Sequence, residues 1–114
     1  MASVRQSVQA AIGAQLQMAE QHEAGAIRYR MDASAFPGDF GRMVQATNSL
    51  VESHVQVELL MAEVMQRYAI GDLSRDLPDY PGEKGTLTRT LAAVKQSLMA
   101  INAQIDALAR AARA

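Results

Sequence analysis

The sequence predicts an all-α fold of long helices that bury a narrow apolar seam against partner helices. Three observations predict it. The 114-residue chain is 49% hydrophobic but only 4% aromatic, without Trp, and is filled mainly with Ala, Leu, Val, Met and Gln, residues that favour helices and helix-on-helix cores. All three Pro and every Gly except Gly13 fall in two windows, Gly25 to Gly41 and Gly71 to Gly85, which leave three helical stretches joined by two connectors. Within those stretches seam residues recur at steps of three and four, the spacing of a heptad.

In the middle stretch Met43, Thr47, Leu50, His54, Val57, Met61, Val64 and Tyr68 follow one another at that spacing without a break. The last stretch repeats it with Leu87, Leu91, Val94, Leu98, Ile101, Ile105, Leu108 and Ala112. The first carries it in weaker residues: Val4, Val8, Ala11, Gln15, Met18 and His22. A middle helix from about Arg42 to Ile70 is roughly 43 Å long at 1.5 Å per residue, too long to bury one seam inside so small a monomer. Partner helices are therefore expected, and a period of 3.5 residues predicts a left-handed bundle with shallow crossing angles.

Composition removes several function classes. Eleven Lys and Arg against twelve Asp and Glu leave a net charge of -1, and no basic stripe offers a surface for nucleic acid or anionic lipid. Without Cys there is neither a disulfide nor a thiolate metal site, and two His make no zinc site alone. No apolar run approaches the ~20 residues of a membrane span, and Met1 to Gln6 lack the apolar core of a signal peptide. No direct membrane contact is expected within this segment.

The chain also repeats itself, which constrains architecture more than any single motif. Phe36-Pro37-Gly38-Asp39-Phe40-Gly41-Arg42-Met43 aligns with Tyr80-Pro81-Gly82-Glu83-Lys84-Gly85-Thr86-Leu87, and the seams that follow match position for position. Ahead of those blocks Gly25, Ile27 and Met31 match Gly71, Leu73 and Leu77, the first connector being two residues longer. Two units are expected: residues 1–56 with connector 25–41, and residues 57–112 with connector 71–85. The middle helix belongs to both.

Gly71-Asp72-Leu73, Leu77, then Glu83-Lys84-Gly85 and Leu87, is similar to the HAMP domain, whose hallmark is a glycine closing the first helix and an acid-x-Gly opening the second. Gly25, Ile27, Met31, Asp39-Phe40-Gly41 and Met43 carry the same pattern. Together with Tyr80-Pro81-Gly82, this resembles the variant found in methyl-accepting chemotaxis proteins that string such modules in tandem. Asp39 departs from the more usual Glu, and neither first helix carries the Pro of many membrane-adjacent modules, which fits an internal, cytoplasmic place in a receptor.

The resemblance implies a parallel homodimer in which each unit forms a four-helix bundle, two stacked units sharing a long continuous middle helix. It implies a signal relay between adjacent input and output domains of one receptor, without enzymatic activity or cofactor. Ile27 with Met31, and Leu73 with Leu77, would plug the groove between parallel helices. Gly25 and Gly71 would end helices in a conformation costly to other residues. Asp39 and Glu83 would sit in the first turn of the next helix, where a carboxylate meets free N–H groups and the positive dipole end. A connector of about a dozen extended residues at ~3.3 Å each can span a helix length, as a link between parallel helices must.

His54 and His22 lie on seams and invite a haem or metal reading. No carboxylate accompanies either on its seam, so a packed or layer-defining His is the stronger reading. Val55 follows His54 and the seam points the ring inward, which argues against a phospho-acceptor. No Gly-x-Ser-x-Gly elbow, Walker loop or His-Glu-x-x-His is present. Methionines at seam spacing, with Thr47, Gln15 and His54, soften the packing in a way that suits a bistable coupler. The rival expectations are a passive dimerising spacer and, behind it, a ligand- or haem-sensing bundle.

Overall fold

The computed structural model describes residues 3–114 and is all-helical in its regular structure, without a strand among the described residues. Helix α1 spans Val4–Glu23, α2 spans Gly38–Ala69 and α3 spans Gly85–Arg113, with short 3-10 turns at Ala33–Ala35 and Gly82–Lys84. The chain divides into two compact units, Met1–Glu58 and Leu59–Ala114, to both of which α2 contributes residues.

In the first unit α1 opens with a capping box. The Ser3 hydroxyl accepts from the Gln6 N–H at 3.1 Å and the Gln6 side chain accepts from the Ser3 N–H at 2.9 Å, which satisfies two donors the helix leaves free. It closes at Gly25, φ 99°, where the Gly25 N–H donates to His22 O and the Ala26 N–H to Gln21 O, both at 2.9 Å. That pair of bonds is a Schellman motif, which needs a left-handed residue and so selects Gly. The core gathers Met18, Met31 and Val44, with Ala14, Tyr29, Ala33, Phe36 and Val51 against them.

The second unit closes its first helix identically: Gly71, φ 88°, donates to Tyr68 O and Asp72 to Arg67 O. Its core is Val64, Tyr68, Leu77 and Leu91, flanked by Leu60, Met61, Leu73, Tyr80, Leu87 and Leu98.

Each connector runs backwards along the helix it leads into. In the first unit Phe36 lies at Gly41, Met31 at Asn48 and Arg30 at Glu52, while Tyr29 returns to His22 at the end of α1. In the second, Tyr80 lies at Gly85, Pro78 at Thr88 and Asp76 at Lys95, while Arg75 returns to Tyr68. The end of the earlier helix therefore lies well along the later one, so the helices each connector joins are parallel.

One helix boundary differs from expectation, and the single chain leaves one seam open. Helix α2 begins at Gly38 rather than near Arg42, since the chain coils directly out of the Pro37-Gly38 turn. The seam through Met43, Leu50 and His54, expected to pack on partner helices, is exposed in the single chain, with Leu50 60% accessible. The buried line there is one residue later: Val44, 0% accessible, with Asn48, Val51 and Val55 fully or partly covered. In the second unit Val64 and Tyr68 on the expected seam are buried, whereas Ile101, Ile105 and Leu108 of α3 are exposed.

Candidate functional site

The candidate site is the pair of connectors, where apolar plugs, glycine joints and polar ties meet the flanking helices. Met31 and Leu77 are 5% and 6% accessible and belong to the two cores. Leu73 packs half-buried against the second core. Ile27 is half-buried, but the residue that joins the first core at this end of the connector is Tyr29.

The aromatic-Pro-Gly turns form the joints. Gly38 and Gly82 take φ 60° and 58°, and Pro81 lies at φ -76°, ψ 160°, the backbone sense of a type II turn, which puts Gly after Pro. Three residues on, Gly41 and Gly85 serve a different purpose. A Cβ at Gly41 would collide with the Phe36 carbonyl oxygen, and one at Gly85 would lie 2.7 Å from the Tyr80 carbonyl oxygen and 3.0 Å from the Arg89 guanidinium. In both units only glycine lets the helix pass the carbonyl of the aromatic residue that precedes the joint.

Asp39 occupies the first turn of α2, where it pairs with Arg42. Glu83 instead lies in the 3-10 turn just ahead of α3, whose own first turn holds no acid; an extra tight turn separates the joint from the helix here. Beside it the Lys84 ammonium sits 4.5 Å from the centre of the Tyr80 ring, a cation–π contact that covers the joint. Leu87 is half-buried against the second core and His54 is exposed.

Several polar ties have no counterpart in the expectations from sequence. Arg30 donates through Nη1 to Ile27 O at 2.7 Å and Tyr29 O at 2.8 Å and through Nη2 to Glu52. Hydrogen bonds from Arg30 and then Gln56 hold the Glu52 carboxyl below its usual range. Asn48 bonds the Met31 backbone in both directions. In the second unit Arg75 pairs with Glu63 at 3.0 Å and Asp76 with Lys95 at 2.9 Å, so the connector is stapled to both helices. Asp72 accepts from the Ser74 hydroxyl and the Ser74 N–H, bonds that lower its pKa.

One tie recurs. His22 Nε2 lies 3.0 Å from Tyr29 O, and Tyr68 Oη donates to Arg75 O at 2.9 Å. These residues occupy matching places in the repeat, each spanning its helix-closing glycine to a carbonyl seven residues on. A carbonyl oxygen only accepts, so the His22 proton in this bond is on Nε2. The signal available in the sequence was the alignment of His22 with Tyr68 at equal distances from Gly25 and Gly71.

Among the described residues no group of three His, Cys, Asp or Glu is placed to hold a metal ion. No described helix is long and apolar enough to cross a membrane.

Residues 57–99 match the family model described as HAMP N-terminal domain 3. The chain is also 29% identical over 82 residues to the methyl-accepting chemotaxis protein McpB of Pseudomonas aeruginosa. That alignment covers 72% of this chain but 12% of the relative, so the chain spans a small part of that protein's length.

Proposed function

We propose, from the match of residues 57–99 to the HAMP model and the likeness to a methyl-accepting chemotaxis protein, that the whole chain is a tandem pair of HAMP-type relay units. The units correspond to residues 1–56 and 57–112 and act as a parallel homodimer within the cytoplasmic part of a receptor. An input displaces α1, the bundle repacks, and α3 passes the change to an output domain, with no catalytic step of its own.

The observation that carries this reading is the recurrence of one joint in both units. A Schellman glycine, a buried plug, an aromatic-Pro-Gly turn and a glycine pressed on a carbonyl stand in the same order at Gly25, Met31, Phe36 and Gly41 and at Gly71, Leu77, Tyr80 and Gly85. A match confined to residues 57–99 would not require that geometry in the first half. The dimer is supported by the seam left open in the single chain: Met43, Leu50, Val94, Ile101, Ile105 and Leu108 at heptad spacing, all exposed. Burial of such side chains contributes about 1.5–3 kcal/mol each. The roles of Ile27, Asp39, His54, Leu73, Glu83 and Leu87 in coupling belong to the same proposal.

Solution mass by light scattering, with spin labels at Ser49 and Ser97, tests the assembly. Dimer mass with short same-residue distances is expected, and a stable monomer overturns the reading. Relay is tested by Leu73→Ala and Glu83→Ala in the full-length receptor, where a shifted balance of kinase control is expected. A rigid spacer leaves control and interhelical distances unchanged, and a ligand- or haem-sensing bundle reveals itself by ligand-dependent melting or a visible absorption band.

A further inference from the structure

Asn48 faces the connector from α2 and makes a peptide-like pair with one residue of it. The Met31 N–H donates to Asn48 Oδ1 at 3.0 Å and Asn48 Nδ2 donates to Met31 O at 2.8 Å. Met31 is the buried plug of the first unit, so the side chain in the core and the backbone that carries it are held by different partners. The residue before the plug is held as well: Arg30 reaches Ile27 O, Tyr29 O and Glu52.

The second unit lacks this device. Asn48 stands seven residues after Gly41, and the residue seven after Gly85 is Ala92, whose methyl group cannot bond a backbone. Ties there fall on either side of Leu77, with Tyr68 Oη donating to Arg75 O and Thr88 Oγ1 donating to Pro78 O at 2.6 Å. Leu77 itself is held by apolar contact in its core.

These modes of attachment respond differently to displacement. Hydrogen bonds weaken steeply outside a narrow range of distance and angle, so a two-bond clamp is either made or replaced by water. Apolar burial is non-directional and yields gradually.

We propose that Asn48 is the latch of the first connector, a positioning residue that holds the Met31 plug seated, and that the two connectors are therefore released by different chemistry. The first opens when an amide pair breaks; the second opens when Leu77 withdraws from its apolar core. The regulatory meaning rests on reading the connectors as moving parts of a relay, but the latch itself is testable without it.

Native-state hydrogen exchange on the chain reads the latch directly. In Asn48→Ala the Met31 amide should exchange on the order of tenfold faster, the loss expected for about one net hydrogen bond, while the Leu77 amide keeps its rate. Asn48→Asp retains the acceptor for the Met31 N–H but at neutral pH cannot donate to Met31 O, so its protection should be intermediate. It also preserves the test if the alanine variant fails to fold. Ala92→Asn should slow exchange at Leu77 by supplying the missing clamp. An unchanged Met31 rate, or a uniform rise across the first unit, overturns the latch. In the full receptor, faster exchange at Met31 with unchanged kinase control counts against the relay reading and leaves the latch standing.

Discussion

Gly41 and Gly85 occupy buried positions where the obstacle to a side chain is a fixed carbonyl oxygen rather than a flexible tip. Gly85→Ala should lower stability by about 1–3 kcal/mol, the usual cost of forcing atoms into a packed site, seen as a lower thermal midpoint. Gly13 provides the control, since it lies within α1 with nothing within 4 Å of an added Cβ. Gly13→Ala should therefore stabilise α1 by about 0.5–1 kcal/mol through lost unfolded-state freedom.

Glu52 carries the pH dependence at the same scale. Bonds from Arg30 and Gln56 hold its pKa below the ordinary 4.5, so the folded state favours the carboxylate. A group depressed on folding contributes stability above its unfolded pKa and loses it as pH falls through the folded value. The stability gap between the native chain and Glu52→Gln should be present at neutral pH and shrink below about 4.5. A gap that widens towards acid would contradict the assignment. The carboxylate is half-exposed, so salt should weaken the effect.

The connectors are the elements to which the proposed relay assigns coupling. Each has a glycine exit, a ring donor reaching back over it, a buried plug and a glycine entry, and each runs antiparallel to the helix it leads into. This arrangement lets a covalent link lie between parallel helices, and in the proposed relay movement of either helix would load the plug. Met31→Ala and Leu77→Ala should each cost about 2–5 kcal/mol, in the range of large-to-small core changes. Tyr68→Phe should cost only about 0.5–1.5 kcal/mol by loss of its bond to Arg75 O. Chemical denaturation of all three variants tests that order, and a Tyr68→Phe loss equal to that of Leu77→Ala would mean the ring bond, not the plug, anchors the strap.

At the scale of the whole molecule the most telling feature is apolar surface without a partner in the chain. Ile101, Ile105 and Leu108 continue the α3 seam past Leu98, at 49%, 57% and 71% accessible. A helix of 29 residues with so much of its seam in water draws little stability from tertiary packing along its last turns. Ile105→Glu should raise the dissociation constant of the proposed dimer at least about tenfold, since it removes roughly 1.5–3 kcal/mol of burial and adds a charge. A dilution series by light scattering, with helicity followed at 222 nm, measures both effects. Dilution-independent mass and helicity in native chain and variant alike would place the seam outside any interface.

The three helices, two connectors and internal repeat were legible in the sequence because each follows from local chemistry. Heptad spacing gives a helix its apolar stripe, and Gly25, Gly71, Gly38 and Gly82 stand where the backbone turns left-handed. The equivalence of Met31 and Leu77, both buried in the structure, was legible through the repeat. What only tertiary structure decided is the flank of α2 that faces its own chain. Met43 and Val44, Leu50 and Val51, His54 and Val55 form two adjacent lines on one helix, and a periodicity that admits both cannot rank them. The connector ranks them by pressing Met31 against Val44 and clamping its backbone to Asn48. The Arg30–Glu52 pair was hidden for the same reason: it joins residues with no periodic relation, brought together only when an extended strap lies back along a helix.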